Sequence, residues 1–143
     1  MVFKLYGVAF STCTKRVAIV LHEKNVPFEF HPVDFAGGQH KSPEFLKHQP
    51  FGQIPYIVSF YLIHHHRHSD HDMATWLQED DGLVLYESRA ICRYIAEKYA
   101  GQGAALIPTE LKAKAIFEQA ASVEKDNFDA LAAKAVHEKV FKP

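Results

Sequence analysis

"STCTKRVAIVLHEKNVPF", residues 11–28, does more than any other stretch to settle the fold class. Val17, Val20, Leu21 and Lys24 recur at helical spacing, and serine and threonine stand in front, where a helix needs side-chain acceptors for its first amides. The pattern predicts a helix that begins between Ser11 and Thr14 and is ended by Asn25 and Pro27. Upstream, Val2 to Val8 is rich in β-branched and aromatic residues and reads as a short strand. Downstream, "FEFHPVDF", residues 28–35, reads as a second strand, with Pro32 suited to an edge or a strand end because it cannot donate to a ladder.

The same reading extends along the chain. "AGGQHKSPEFLKHQP", residues 36–50, is a glycine-rich loop leading into a short helix, with Ser42 as the cap and Pro43 in the first helical position. "QIPYI", residues 53–57, and "GLVLYE", residues 82–87, are a third and a fourth strand. Ser88 then opens "SRAICRYIAEKYAG", whose Ile91, Tyr94 and Ile95 form one apolar face before Gly101. Strand, helix, strand, helix, strand, strand, helix makes an α/β layer on a small mixed sheet. This domain covers residues 1–101, a Gly- and Pro-containing linker covers 102–109, and 110–143 is Ala-rich and helical. Phe117, Ala121, Phe128, Leu131 and Val136 give that last helix an apolar content that calls for partner helices, yet the sequence ends at Pro143.

Composition narrows the functional classes. With 48% hydrophobic and 23% charged residues, the 143-residue chain can bury a core of ordinary size. A formal net charge of −1 argues against a broad electrostatic hold on nucleic acid or an anionic membrane. The start, "MVFKLYGVAF", lacks the features of a secretory signal, and no apolar run is long enough to span a bilayer, so a cytoplasmic location is expected. Cys13 and Cys92 are too few and too far apart for a disulfide framework or a redox pair.

The serine-bearing turn before the first helix, then "HKSPEFLKHQPFGQIP", residues 40–55, then "YESRAI", residues 86–91, resemble the thioredoxin-like N-terminal domain of glutathione transferases, most closely the phi class. Three separated motifs arrive in the family's order, and the resemblance covers Met1 to Ile57 and Asp80 to about Lys142. It implies a thioredoxin-like βαβαββα domain followed by a truncated all-helical C-terminal domain. By the same resemblance, Ser11 matches the catalytic serine that donates a hydrogen bond to the sulfur of bound glutathione. A hydroxyl donor at a helix N-terminus favours the thiolate, which is the nucleophile. His40 and Lys41 match the pair that holds the glycine carboxylate. Gln53, Ile54 and Pro55 match the motif whose proline is cis and whose preceding residue pairs with the cysteinyl part of the tripeptide. Glu87 and Ser88 match the pair that receives the γ-glutamyl end. Each has a simpler alternative: Ser11 and Ser88 as plain helix caps, His40 and Lys41 as a solvated surface, the proline motif as an ordinary strand start. Cys13 lies two residues beyond the position of the nucleophile in cysteine-based relatives, and a structural or incidental role suits it better.

One stretch does not match its surroundings. Five of the ten histidines, His64, His65, His66, His68 and His71, fall in the 21 residues from Val58 to Gln78. Removing them joins "IPYI" to "EDDGLVLYESRA", an ordinary hairpin for the family. The Val-Ser start and Leu-Gln end are compatible with the two ends of an intron, so a translated in-frame intron is one reading. A lineage-specific loop and a metal site are the others. Adjacent histidines without supporting second partners bind metal loosely, as a tag does, and no metal ligand is assigned.

The resemblance implies a transferase joining the glutathione thiolate to an electrophilic small molecule, with glutathione as co-substrate, no other cofactor, a family-like homodimer, and neither nucleic acid nor membrane as partner. Two alternatives stay open: a non-catalytic truncated product that binds glutathione, and glutathione-dependent thiol exchange through Cys13.

Overall fold

The computed structural model describes residues 2–64 and 75–141, with side chains outside 61–81 and 140–141. The strands are β1 (Val2–Gly7), β2 (Phe28–Pro32), β3 (Tyr56–His64) and β4 (Thr75–Tyr86); the helices are α1 (Thr12–Glu23), α2 (Pro43–His48), α3 (Ser88–Lys98), α4 (Leu111–Val123) and α5 (Ala130–Val136). A 3₁₀ turn, Gln39–Lys41, precedes α2. The chain forms two compact units, Met1–Ala104 and Ala105–Pro143.

In the first unit the sheet order is β2-β1-β3-β4, with β1 and β2 parallel and the other neighbours antiparallel. This is the mixed sheet expected from the sequence, and β2, with Pro32 at its end, lies on an edge as a proline requires. Side chains alternate between two faces with the strand period. Phe3, Leu5 and Ile57 point to one face, where Val17 and Leu21 of α1 and Ile91 and Ile95 of α3 complete a core closed to solvent. Tyr56 and Val58 point to the other, where they meet Val8, Val33 and Phe45 of α2. The layers are therefore α1 with α3, the sheet, and α2. Each fully buried Val, Leu or Ile adds about 1.5–3 kcal/mol relative to an exposed one, so helices too short to persist alone are held by their apolar faces.

Helix α1 begins where its sequence says it should. Ser11 is the cap, with its hydroxyl accepting from Thr14 N at 3.3 Å. The helix also sits hard against the end of β1: a Cβ on Gly7 would lie 2.5 Å from Thr14 Oγ1, so only glycine permits the approach. Lys24, at the other end, is 1% exposed, and its ammonium donates to Ala104 O at 2.7 Å. Gln102 Nε2 donates to Lys24 O at 2.6 Å, so residues 102–104, read in the sequence as linker, clasp the end of α1 within the first unit.

Two expectations need correction. The third and fourth strands are longer than "QIPYI" and "GLVLYE": β3 starts at Tyr56 and runs to His64, and β4 starts at Thr75. The start of the stretch from Val58 to Gln78 enters the sheet, with Val58 opposite Lys4, Ser59 opposite Phe3 and Phe60 opposite Val2. Val58 is 4% and Ser59 0% exposed, because both pair with β1 inside the sheet, Val58 with the strand preference of a β-branched residue. Residues 65–74, which hold four of the five clustered histidines, lie outside the described residues.

In the second unit Glu110 caps α4, its carboxylate accepting from Lys112 N and Ala113 N at 2.8 Å each. Those two amides hold the Glu110 carboxyl below its ordinary pKa. The helical path continues through π-helical segments, Glu124–Asp129 and His137–Phe141, on either side of α5. Phe128 and Leu131 are 67% and 69% exposed.

Candidate functional site

One rung of the sheet crosses all four strands: His31, Tyr6, Tyr56 and Tyr86 are successive partners. The chain leaves or enters the sheet just beyond this rung at each of the predicted motifs. β1 ends at Gly7 and leads to Ser11; β3 is entered through Pro55; β4 leads out to Glu87 and Ser88. Strand direction and register thus gather three motifs, far apart in sequence, at one end of the sheet.

The fourth motif is tied to the same end by its contacts. Lys41 Nζ donates to Phe51 O at 3.1 Å, and the Phe51 and Tyr86 rings meet at a steep angle with centroids 6.0 Å apart. Gly52, at φ 60°, lies so close to the 3₁₀ turn that a Cβ there would be 2.7 Å from both His40 O and the Lys41 side chain. His40 stacks on Phe35 at 3.9 Å, and its Nδ1 is buried without a hydrogen-bond partner among the described residues. Buried polar atoms are nearly all paired, so such an atom is a feature to be explained.

Behind Gln53 stands a residue that sequence reading missed. Gln49 is 1% exposed, and its Oε1 accepts from Phe51 N at 2.8 Å and from Gln53 N at 3.1 Å. One side chain thereby shapes the turn that delivers Ile54 and Pro55, whose peptide bond is cis. Gln53 is exposed, Ile54 half-buried and Pro55 buried.

At the start of α3, Ser88 is the first helical residue and Glu87 the cap, with no side-chain capping bond. The expectation that Ser88 opens the helix holds, but its alternative as a plain cap does not: Glu87 occupies that position with φ 68° and ψ 99°, a conformation non-glycine residues rarely adopt. Strain of this kind, about 1–3 kcal/mol, persists where the surroundings dictate it. Glu87 is exposed, while Ser88 is 6% exposed and accepts from Arg16 Nη1 at 2.7 Å. Arg16 is the second residue the sequence reading missed. No local pattern marks it, because its partner stands on α3, 72 positions away.

The two thiols differ. Cys92 donates to Arg16 O at 3.6 Å, and burial pushes its pKa up to about 11, although Arg16, Arg93 and Arg89 pull the other way. It is therefore a thiol and not a thiolate near neutral pH. Cys13 lies 3.7 Å from Arg16 Nη1 near the start of α1. Among the described residues no group of three His, Cys, Asp or Glu side chains is placed to hold a metal ion, and four of the five clustered histidines lie outside them.

The arrangement has the chemistry to hold an extended, zwitterionic peptide. A carboxylate, a helix N-terminus, a strand entry, a lysine and a histidine are gathered at one end of the sheet. Comparison with known proteins agrees with this class. Residues 5–103 match the family model described as glutathione S-transferase, N-terminal domain.

The chain belongs to the glutathione S-transferase family, and its relatives place it with the phi class. It is 43% identical over 141 residues to glutathione S-transferase PM239X14 of Arabidopsis thaliana, covering 96% of this chain and 55% of that protein. It is 41% identical to glutathione S-transferase 3 of Zea mays, over 98% of this chain and 53% of the other. Among solved structures, poplar glutathione transferase F1 superposes with a TM-score of 0.81 at 35% identity, covering all of this chain and 57% of that one. The chain thus spans about half the length of the relatives it matches. Among the described residues no helix is long and apolar enough to cross a membrane.

Proposed function

We propose that the first unit binds glutathione and that the protein transfers the glutathione thiolate to electrophilic small molecules. The observation that carries this reading is the shared rung Tyr6–Tyr56–Tyr86, which sets Ser11, Pro55 and Glu87–Ser88 at one end of the sheet. In this reading Glu87 answers the γ-glutamyl ammonium, Ser88 and the α3 amides answer its carboxylate, and Gln53 and Ile54 face the cysteinyl part as an added strand would. His40 and Lys41 meet the glycine carboxylate. Ser11 already accepts from Thr14 N, which leaves its own proton to donate to sulfur. That hydrogen bond, with the dipole of α1, lowers the thiol pKa from its free value of about 8.5. Glutathione is co-substrate, with no further cofactor, in a protein acting in the cytoplasm, as a dimer of the family's kind.

The test is steady-state conjugation of glutathione to a nitro-substituted aryl halide by the purified chain, with thiolate absorbance of bound glutathione followed against pH. The reading expects turnover above background and a thiol pKa below the free value. Binding without turnover leaves a glutathione-binding protein; neither binding nor turnover contradicts the reading.

A further inference from the structure

Arg16 is tied to the γ-glutamyl end of the site without being part of any motif that identifies it. Its Nη1 donates to Ser88 Oγ at 2.7 Å, and its backbone carbonyl accepts from Cys92 Sγ at 3.6 Å, so both ends of the residue engage α3. A guanidinium carries donors only. Ser88 must therefore spend a lone pair on Arg16, and its own hydroxyl proton is left to point elsewhere. Because Ser88 is the first residue of α3, its hydroxyl stands beside the first amides of the helix, which find no acceptor within the helix itself. A hydroxyl that accepts from a cation is also a better donor, since successive hydrogen bonds polarise one another.

We propose that Arg16 is a positioning residue: it orients and polarises the Ser88 hydroxyl so that Ser88 donates to the α-carboxylate of the γ-glutamyl group. The inference rests on the glutathione reading above. It extends that reading by making recognition of this carboxylate depend on a residue of α1, outside the "YESRAI" stretch. The competing possibility is a brace that holds α1 to α3 and supports the whole site indiscriminately.

Calorimetric titration of the intact chain with two ligands separates these. One is glutathione; the other is γ-aminobutyryl-cysteinyl-glycine, the same tripeptide without that carboxylate. Arg16→Met keeps most of the stem and removes the donors. It is expected to weaken glutathione by about tenfold or more, the size of a charge-assisted bond, and to leave the carboxylate-free ligand unchanged within about twofold. In a Ser88→Ala background the same change should add nothing for glutathione. Arg16→Gln retains a neutral donor and should fall between wild type and Arg16→Met; it also serves if the methionine variant does not fold. Equal weakening of both ligands would mean a brace and overturn the inference, as would unchanged glutathione affinity in both variants. A wild-type chain that binds neither ligand overturns the glutathione reading itself, and the inference with it.

Discussion

Arg16 of α1 and Ser88 of α3 are joined at 2.7 Å across 72 positions of sequence, so the hydroxyl that opens α3 is engaged by a guanidinium from α1. Ser11, the cap of α1, and Ser88 are thereby parts of one assembly, backed by the shared core of Val17, Leu21, Ile91 and Ile95. Changes at either end should be read in that light.

Ser11→Ala removes both a cap and a donor to sulfur. Loss of the cap should lower stability by about 0.5–2 kcal/mol. The distinguishing effect is chemical: the thiol pKa of bound glutathione should rise toward its free value while affinity changes little. Thiolate absorbance against pH checks this, and an unchanged profile would discard Ser11 as the activating group.

Glu87 holds φ 68° at the cap of α3 without a capping bond. Glu87→Gly should relieve that conformation, and even after glycine's own entropic cost the gain is about 1 kcal/mol in unfolding free energy. Glutathione affinity should fall by about tenfold, since the ligand's ammonium loses its carboxylate. Paired denaturant and calorimetric titrations check both signs; a variant that is less stable, or that binds as well as wild type, contradicts the assignment.

Gln49 supplies the acceptor for two backbone amides in the turn before Pro55. Gln49→Ala should destabilise the chain by about 1–3 kcal/mol for each donor left buried, while Gln49→Glu, which retains an acceptor, should lose less. Urea unfolding with unchanged slope is the measurement.

Joining Ile57 directly to Glu79 removes the histidine-rich stretch but also Val58 and Ser59, which are buried in the ladder beside β1. The expected result is retained glutathione binding with stability lower by about 1.5–3 kcal/mol, from the lost burial of Val58. Loss of binding on this deletion would make the stretch part of the site.

Local rules were legible in the sequence wherever neighbouring residues decide the outcome. The caps Ser11 and Ser42, Pro43 at the start of α2, and the edge position of Pro32 all follow from interactions within a few residues. The lengths of β3 and β4 were not legible, because a strand extends as far as its partners allow, and those partners are set by register. The cap of α3 was misplaced in the alternative reading because the positive φ of Glu87 is imposed by the fold and not by its own preference. The candidate site was legible as motifs, through resemblance. Arg16 and Gln49 were not, since polar side chains on amphipathic segments look like surface until a distant partner such as Ser88 is in place.

The central claim is that the end of the sheet beyond the Tyr6–Tyr56–Tyr86 rung forms a single glutathione site. Isothermal titration of the intact chain with reduced glutathione tests it most directly, with Lys41→Ala and Ser88→Ala measured in parallel. The account predicts saturable binding of one glutathione per chain, weakened by about tenfold or more in each variant, because each change leaves one carboxylate of the ligand unanswered. Absence of saturable binding, or wild-type affinity in both variants, would contradict it.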